Sequence, residues 1–386
     1  MTVTIDDAPV ARARDLASLI ETEADAAEDL TTTTAPVVDA LKASDLFWIQ
    51  VPRDLGGGEV DPVTALAVFE EVAYADGSTG WSLMANVTSS AFAAIYTGET
   101  AAQAMFTNGV RGIHAGMLGP VGQARRVDGG YRVTGKYQFG SGCAHADFIG
   151  AGTVEVDDDG TAQTSESGLP AMRVVLIPRD EIDFRGNWDV LGLSSTGSYD
   201  YVVDDVFVPE EYTYSLLEPV QHRGGPGFRI GLFSITAAGH AGFALGVGRR
   251  ALDEIAKLAN TRVRMAGFAT IGTEQLFQYE FAKHELAMRA ARGLVYETLA
   301  EVDAEARHLG PGMVLPNRLR AAATYATDVA TDAARFAYHW AGSAGLRHGV
   351  IQRCVRDLLA GSQHIYVDNG TLTGYAQTML ATAAAE

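Results

Sequence analysis

The sequence predicts an α+β protein, mainly helical, in which helices come first, strands follow and helices return. Apolar residues recur at helical spacing from Ala8 to about Ile95, and the spacing shortens towards two between Arg125 and Pro209. Long helical runs rich in Ala, Leu and Arg then extend from Gly227 to Ala384. Because helices and strands are segregated along the chain, we expect separate layers and not an alternating parallel sheet.

The length of 386 residues indicates more than one core, since single cores rarely grow beyond about 250–300 residues. We therefore divide the chain into an N-terminal helical domain (1–120), a middle β domain of barrel or sandwich type (121–215) and a C-terminal helical bundle (216–386).

Turn signals locate the helices of the first third. The run Pro52–Gly58 is a loop, and Asp61-Pro62 then begins a helix, with Asp61 as N-cap and Pro62 at the first helical position. A further helix is predicted from Ser78 to Ile95.

The middle section is predicted to form short strands. Val127–Tyr131 contains Asp-Gly-Gly, which is typical of a hairpin turn between two strands. Thr153–Val156 and Met172–Ile177 are further strands, and Tyr201–Pro209 closes the β section because proline cannot continue a ladder.

The composition excludes several classes of function. Twenty-nine basic against 48 acidic side chains give a formal charge of −19, which argues against binding to nucleic acid or to an anionic membrane surface. The N-terminus carries no apolar core typical of a signal peptide, and no run approaches the 18 apolar residues of a membrane span. We expect a cytoplasmic protein.

Apparent nucleotide and metal motifs fail on their context. Gly130–Lys136 matches most of a phosphate-binding loop, but Tyr137 stands where Ser or Thr is needed and the match lies between strands. Gly246–Ala251 has dinucleotide-loop spacing inside a helical run with no strand before it. The two cysteines and nine histidines show no ligand spacing, so neither a disulfide nor a metal site is predicted.

His364 lies in a polar stretch near the C-terminus. Helical spacing from Arg356 would place Ala360 and His364 on one face of a helix. An imidazole there is either a packed structural group or a base directed into a cavity, because its ordinary pKa near 6.5 suits proton transfer. We read His114, His240 and His339 as structural.

Segments along nearly the whole chain resemble the acyl-CoA dehydrogenase-like flavoproteins. They are Val51-Pro52, Gly56-Gly57, Asp76-Gly77-Ser78 and Trp81 in the first third; Leu191-Gly192-Leu193, Thr196-Gly197-Ser198 and Asp204–Pro209 in the middle; and Arg262, Arg264, Phe268, Gln275, Gly342, Gly345, Arg353, Arg356 and Asp357 in the last third. The resemblance implies that family's fold, with a C-terminal four-helix bundle, and a homotetramer that holds flavin at subunit contacts.

Two departures from the dehydrogenases point to another branch of the family. Their catalytic glutamate near the last helix is absent from Gly361–Asp368, which offers His364 instead, and Gly140-Ser141-Gly142 replaces a Trp-Ile-Thr-type flavin segment. The chain thus resembles two-component flavin monooxygenases, which hydroxylate aromatic compounds, indoles or polyketides. These enzymes use O2 and take reduced FAD or FMN from a separate flavin reductase.

The resemblance implies roles for particular residues. Ser141 would donate a hydrogen bond near flavin N5 and stabilise a C4a-hydroperoxide, and His364 would act as base on the OH or NH of a small aromatic substrate. The implied cofactor-binding residues are Trp81, Ser141, Thr196, Ser198, Arg262, Arg264, Phe268 and Gln275, of which an arginine would reach a neighbouring subunit's cofactor phosphates. The implied substrate-binding residues are Met84, Asn86, Met117, Cys143 and His364.

Two other functions stay open on the sequence. One is an acyl-CoA dehydrogenase-like oxidase or desaturase with a displaced base, which would retain oxidised FAD tightly. The other is a non-catalytic binding or assembly protein on the same scaffold, which would bind no flavin.

Overall fold

A computed structural model describes residues 3–107, 109–263, 269–308 and 318–385. Six helices precede the first strand in this part of the chain: α1 (Asp7–Asp15), α2 (Ala17–Leu30), α3 (Ala35–Ala43), α4 (Pro62–Ala75), α5 (Gly77–Tyr96) and α6 (Glu99–Phe106). The predicted start of α4 is confirmed, because the Asp61 side chain accepts hydrogen bonds from the N–H groups of Val63 and Thr64.

Seven strands follow within the described residues and form one mixed sheet. They are β1 (His114–Val127), β2 (Gly130–Gly140), β3 (Phe148–Val156), β4 (Met172–Pro178), β5 (Asp183–Phe184), β6 (Tyr199–Pro209) and β7 (Thr213–Ser215). Their order across the sheet is β5-β6-β2-β1-β3-β4-β7, in which only β1 and β3 are parallel neighbours. The hairpin predicted at Val127–Tyr131 joins β1 to β2.

The last third of the described chain is helical, as predicted. Its helices are α7 (Gly231–Thr261), α8 (Gln275–His308), α9 (Arg318–Ala341), α10 (Val350–Gly361) and α11 (Asn369–Ala385). Helix α7 is the centre of the molecule, since it packs against α4 and α5 on one side and against α8, α9 and α10 on the other.

Helix α7 is the described helix whose length and hydropathy match those of a membrane span. Together with the turn before it, Pro226–Thr261, it is long and apolar enough to cross a bilayer, but 78% of its most apolar window is buried inside the protein. That burial is what a core helix shows, and its neighbours α4, α5, α9 and α10 account for it.

The strand β1 begins at His114, within the range 1–120 that the sequence assigns to the helical part. The division into three domains stays a prediction. What matters for the site is that α5, the ends of β2 and β6, and the segment after α10 converge on α7.

Candidate active site

Ser141 follows β2 and receives two hydrogen bonds on its hydroxyl oxygen. The indole N–H of Trp81 donates to Ser141 Oγ at 3.0 Å, and the hydroxyl of Ser198 donates to the same atom at 2.7 Å. A hydroxyl has two lone pairs and one hydrogen, and an indole N–H can only donate. Both lone pairs of Ser141 are therefore occupied, and its own hydrogen has no acceptor among the described residues.

A second pair of contacts anchors this hydroxyl chain to the C-terminal bundle. Thr196 Oγ1 lies 2.6 Å from Ser198 Oγ and 2.8 Å from the Leu193 carbonyl oxygen. The N–H of Leu193 donates in turn to Asp357 Oδ1 on α10 at 2.7 Å. Thr196 and Ser198 are both buried, so the structure brings together the predicted residues Trp81, Ser141, Thr196 and Ser198.

The turn that carries Ser141 adopts a backbone conformation that side chains rarely take. Phe139 has φ +63° and is 57% exposed, and Gly142 has φ +77°. A non-glycine residue in the left-handed region costs free energy and tends to mark a functional site. Asn86 on α5 stabilises the turn, because its side-chain amide donates to the Gly142 carbonyl at 3.4 Å.

Trp81 connects Ser141 to a cluster of aromatic side chains. While its N–H bonds to Ser141, its ring makes edge-to-face contacts with His240, Phe243 and His364, with centroids 4.8, 5.0 and 5.7 Å away. Ser141 and His364, the two residues singled out as catalytic, therefore contact the same indole.

The local structure around His364 differs from the sequence prediction. Helix α10 ends at Gly361, so His364 is not stacked above Ala360 on a helical face. It begins a 3-10 turn instead, Ile365–Val367, and its Nδ1 accepts the backbone N–H of Tyr366 at 3.3 Å. Gly361, the last residue of α10, packs closely against α7, since a Cβ at this position would lie 2.5 Å from the Phe243 ring.

His240 is a site residue that the sequence analysis missed. Its ring lies 4.2 Å from that of His364 and stacks on Tyr366 at 5.8 Å, and the residue is 2% exposed. Its Nδ1 is buried with no hydrogen-bond partner in the described structure. The available sequence signal was one imidazole within the small, apolar run Ala237–Gly242 of α7, which by itself is typical of packing.

Burial keeps both imidazoles uncharged at neutral pH. Burial, with a smaller contribution from the nearby Arg320, lowers the pKa of His364 to about 4. For His240 burial lowers the pKa well below its ordinary value, with smaller contributions from His364 and Arg320. The pair therefore offers nitrogen lone pairs and N–H donors and not cations.

Two of the four other residues predicted to bind substrate, Met84 and Asn86, lie on α5, the helix that carries Trp81. Met84 is buried on α5 and packs against Gly239, the neighbour of His240. The amide of Asn86 also bonds to the His114 carbonyl at 3.0 Å and to His145 Nε2 at 2.8 Å, which leaves it committed within the fold.

The remaining two lie on the sheet side. Met117 is half-buried in β1, where its N–H donates to the hydroxyl of Tyr201 at 2.9 Å. Cys143 is fully buried behind the Ser141 turn, and burial raises the pKa of its thiol to about 12. Their contact with substrate stays a prediction.

Of the cofactor-binding residues predicted in the last third of the chain, Arg262 lies far along α7 from His240. Arg262 ends α7, 22 residues from His240, which is about 33 Å along a helix. It donates to Ser343 Oγ at 2.7 Å, and Gln275 is exposed at the start of α8. Arg264 and Phe268 lie outside the described residues. A role for Arg262 or Gln275 on the same flavin requires a neighbouring subunit.

The residues around Ser141 fit a flavin ring. A flavin presents carbonyl oxygens and ring nitrogens along one edge, and the uncommitted hydrogen of Ser141 is the donor that such an edge needs. The exposed ring of Phe139, in edge-to-face contact with Trp188 at 6.2 Å, adds an aromatic surface beside it.

Comparison with known proteins agrees with this geometry. The family models for the acyl-CoA dehydrogenase N-terminal and C-terminal domains match residues 11–107 and 238–369. The indole-3-acetate monooxygenase of Pseudomonas putida is 32% identical over 87% of this chain and 84% of its own length. The oxygenase subunit HsaA, a flavin-dependent monooxygenase of Rhodococcus jostii, is 27% identical over 87% and 88%.

Solved structures give the same answer. The crystal structure of 3-HSA hydroxylase from Rhodococcus sp. RHA1 has a TM-score of 0.86 and 25% identity, and the match covers 96% of each chain. Fold and sequence together place this chain in the acyl-CoA dehydrogenase-like flavoproteins. Within them it belongs to the flavin-dependent monooxygenases, which are oxidoreductases, and not to the dehydrogenases.

Proposed function

We propose that this chain is the oxygenase component of a two-component monooxygenase that hydroxylates an aromatic or indole-like small molecule with reduced FAD. The observation that carries the proposal is the chain Trp81–Ser141–Ser198, which leaves one hydroxyl hydrogen uncommitted beside an aromatic cluster that ends in His364. Bound reduced flavin supplies the activation of O2, and the protein supplies orientation, hydrogen bonds and exclusion of water.

Ser141 is the cofactor-side residue of this proposal. Because Trp81 and Ser198 fill its lone pairs, Ser141 can act only as a donor towards the flavin. A donor held in place before the reaction costs no reorganisation when negative charge develops, which is how fixed hydrogen bonds accelerate chemistry. Because the hydrogen of Ser198 is directed to Ser141, Thr196 is the donor in its 2.6 Å contact with Ser198, and this contact keeps the Ser198 hydroxyl in place.

His364 is the substrate-side residue. It is mostly buried and packed against Trp81 and Tyr366, so an aromatic molecule that reaches its ring enters an apolar environment with few polar groups. Its imidazole would bind the OH or NH of that molecule and fix the carbon that receives oxygen. Met84, beside His240, contributes apolar surface.

The partners follow from the division of labour in such systems. We propose a separate flavin reductase as the source of reduced FAD, a cytoplasmic location and a homotetramer. An assembly fits the exposed C-terminal helix α11, which contains no charged residue and exposes Leu372, Tyr375, Met379 and Leu380. It would also supply the neighbouring subunit that Arg262 and Gln275 require.

The test is the coupling of O2 consumption to product. The protein is mixed with reduced FAD and oxygenated buffer containing indole, indole-3-acetate or resorcinol, and hydroxylated product and H2O2 are both measured. We expect wild type to form product from at least one probe. Ser141→Ala should lower product yield about 100-fold and release H2O2 instead, which is the scale for losing one fixed donor.

A matched control is Ser165→Ala, which removes an exposed hydroxyl from the loop between β3 and β4 and should couple as wild type does. Equal coupling in Ser141→Ala would contradict the role of Ser141. Oxidation of acyl-CoA with an artificial acceptor, without hydroxylation of any probe, would support the dehydrogenase-like alternative.

A further inference from the structure

The turn after α10 fixes which nitrogen of His364 carries its proton. Nδ1 accepts the backbone N–H of Tyr366, and a nitrogen that accepts a hydrogen bond must present a lone pair. In the neutral ring the single hydrogen is then on Nε2. His364 therefore offers an N–H donor at Nε2. To act as a base through Nε2, the ring would have to carry its hydrogen on Nδ1, and the hydrogen bond from the Tyr366 N–H would be lost.

The neighbouring His240 has the complementary property. Its Nδ1 is buried and unpartnered, and its ring is in contact with that of His364 at 4.2 Å. A buried polar nitrogen without a partner costs about 1–3 kcal/mol. His114 and His145 also have an unpartnered Nδ1, and what distinguishes His240 is its contact with the rings of Trp81 and His364. A ligand that hydrogen-bonds to this nitrogen would remove that cost.

Among the groups around it, His240 is the one that is available to accept a proton. Helix α5 contributes Trp81, which has only a donor, and the apolar Met84. The turn contributes His364 and Tyr366, and burial raises the pKa of Tyr366 to about 12, so its phenol stays protonated. From α9 the guanidinium of Arg320 lies 5.2 Å from the centre of the Tyr366 ring and also can only donate.

We propose that His240 accepts the proton of an aromatic OH or NH, while His364 donates its Nε2–H to the same polar group. This inference rests on the proposed function and specifies its substrate class: electron-rich rings with an ionisable hydroxyl or ring N–H. It makes His240 a catalytic residue and reassigns the base expected at His364.

The proton transfer balances without a further reagent. The O–H or N–H bond of the substrate breaks, its electron pair stays with the substrate and makes the ring more nucleophilic, and the proton binds the lone-pair nitrogen of His240. The electrophilic oxygen that the activated ring attacks comes from O2 and the reduced flavin. Burial lowers the pKa of His240, which keeps its lone pair free at neutral pH but also makes it a weak base. The Nε2–H of His364, bound to the same substrate oxygen or nitrogen, stabilises the anion that forms and so supports the transfer. The neutral state of His364 avoids a second positive charge beside His240.

The first experiment measures the tautomers directly. Nitrogen NMR of protein labelled at histidine, at pH 7.5, is assigned with the variants His240→Phe and His364→Gln. We expect the Nδ1 of His364 to give the signal of an unprotonated nitrogen and its Nε2 that of an N–H. An N–H signal at Nδ1 of His364 would overturn the donor assignment.

The second experiment separates donor from base with resorcinol as substrate. His364→Gln keeps an N–H donor near the Nε2 position and should retain at least about a tenth of the product rate, whereas His364→Phe should lose about 100-fold. His240→Phe keeps the ring packing but cannot accept a proton, so its product rate at pH 7 should fall about 100-fold.

A pH profile distinguishes loss of a base from damage to the fold. The product rate of His240→Phe should rise roughly tenfold per pH unit as resorcinol ionises in solution, while that of wild type changes little. Equal rates in His240→Phe and wild type at pH 7, or a flat low rate in His240→Phe, would overturn the role of His240.

His114→Phe is the matched control, because it removes another fully buried imidazole, whose ring stacks between Phe106 and Phe148, and it should follow wild type at pH 7.5 and above. The two proposals fail in different ways. If wild type hydroxylates none of the probes, the proposed function fails, while the NMR result still decides the tautomer. If wild type hydroxylates and His240→Phe does so equally well, only this inference fails.

Discussion

Ser141 shows how neighbours give a single hydroxyl its direction. Its residue type and its place beside two glycines could be read from the sequence, and they led to the prediction of a donor near flavin. The sequence could not reveal that Trp81, 60 positions earlier, and Ser198, 57 positions later, both donate to the same oxygen. That arrangement depends on the packing of α5, β2 and β6.

The histidines make the same point at residue scale. His364 was selected from the sequence because it stands where the related dehydrogenases carry a glutamate, whereas His240 was read as structural. A histidine in an apolar helix is usually packed, and only the contact between the two rings at 4.2 Å shows that His240 shares the site.

A first prediction at this scale concerns stability and pH. Burial lowers the pKa of His114 to about 3, so the folded protein keeps it neutral while the unfolded chain protonates it below about pH 6.5. Stability is therefore lost as pH falls from 6.5 towards 3. Relative to wild type, His114→Phe should gain about 1.4 kcal/mol in free energy of unfolding per pH unit across this range.

The measurement is urea unfolding of both proteins at pH 7.5, 6.0 and 5.0. Phenylalanine preserves the stacking of His114 between Phe106 and Phe148, so the change in the difference between the two proteins isolates the proton. A difference that stays constant with pH would show that His114 titrates alike in the folded and unfolded states.

At the scale of elements, the sequence correctly predicts features that depend on a few neighbouring residues. The Asp61-Pro62 helix start and the Asp-Gly-Gly hairpin are confirmed, because caps and tight turns depend on residues within a few positions. The end of α10 was misplaced. The sequence predicts a helix that reaches His364, whereas α10 ends at Gly361 and the chain continues into the 3-10 turn Ile365–Val367.

The turn Gly140–Gly142 supports a prediction at this scale. Gly142→Ala would place a Cβ 2.5 Å from Asn86 Oδ1, in addition to the strain of φ +77°. We expect the turn to move, with loss of reduced-FAD binding and at least a tenfold drop in product rate. Binding is measured by fluorescence or calorimetry and the rate by product formation.

Gly129→Ala is the matched control. Gly129 has φ +75° in the β1–β2 hairpin but nothing within 4 Å of the added methyl group. Both variants should lose about 1–2 kcal/mol in free energy of unfolding from the left-handed backbone, but only Gly142→Ala should lose flavin. Equal flavin affinity in the two would show that the turn does not need this geometry.

At the scale of the whole molecule, a cluster of charges joins the first helices to the last. Glu28 on α2 accepts hydrogen bonds from Arg356 at 2.6 Å and from Ser194 at 3.3 Å, and lies 3.4 Å from Arg353 Nε. These side chains are 9–18% exposed where they pair. The cluster holds α10, and with it the Leu193 contact to Asp357, against the N-terminal helices.

Removing the acid from this cluster should therefore weaken the assembly of the three regions. Glu28→Ala would leave two largely buried guanidinium groups without their shared partner, and we expect a loss of about 3 kcal/mol in free energy of unfolding. Asp45→Ala, which breaks the exposed pair with Arg111, should cost less than about 1 kcal/mol. Denaturant unfolding of the two variants tests the contrast, and equal losses would contradict it.

The proposed assembly is tested by sedimentation. Four copies of 40.9 kDa should sediment at about 164 kDa. Two charges on the exposed face of α11, in Leu372→Lys/Met379→Glu, should lower that mass if this helix packs against another copy. The same pair of charges in the β3–β4 loop, Ser165→Lys/Thr161→Glu, is the control, and an unchanged mass in the α11 variant would exclude the helix from the interface.

The sequence alone determined the order of layers, the acidic composition, the family resemblance and the choice of Ser141 and His364. All of these depend on composition, on spacing along the chain or on motifs within a few residues. The tertiary structure decided the direction of the Ser141 hydroxyl, the tautomer of His364 and the presence of His240 in the site. Hydrogen-bond direction and ring contact depend on residues that come from distant parts of the chain and pack around α7. A local sequence pattern does not show which of these residues are in contact.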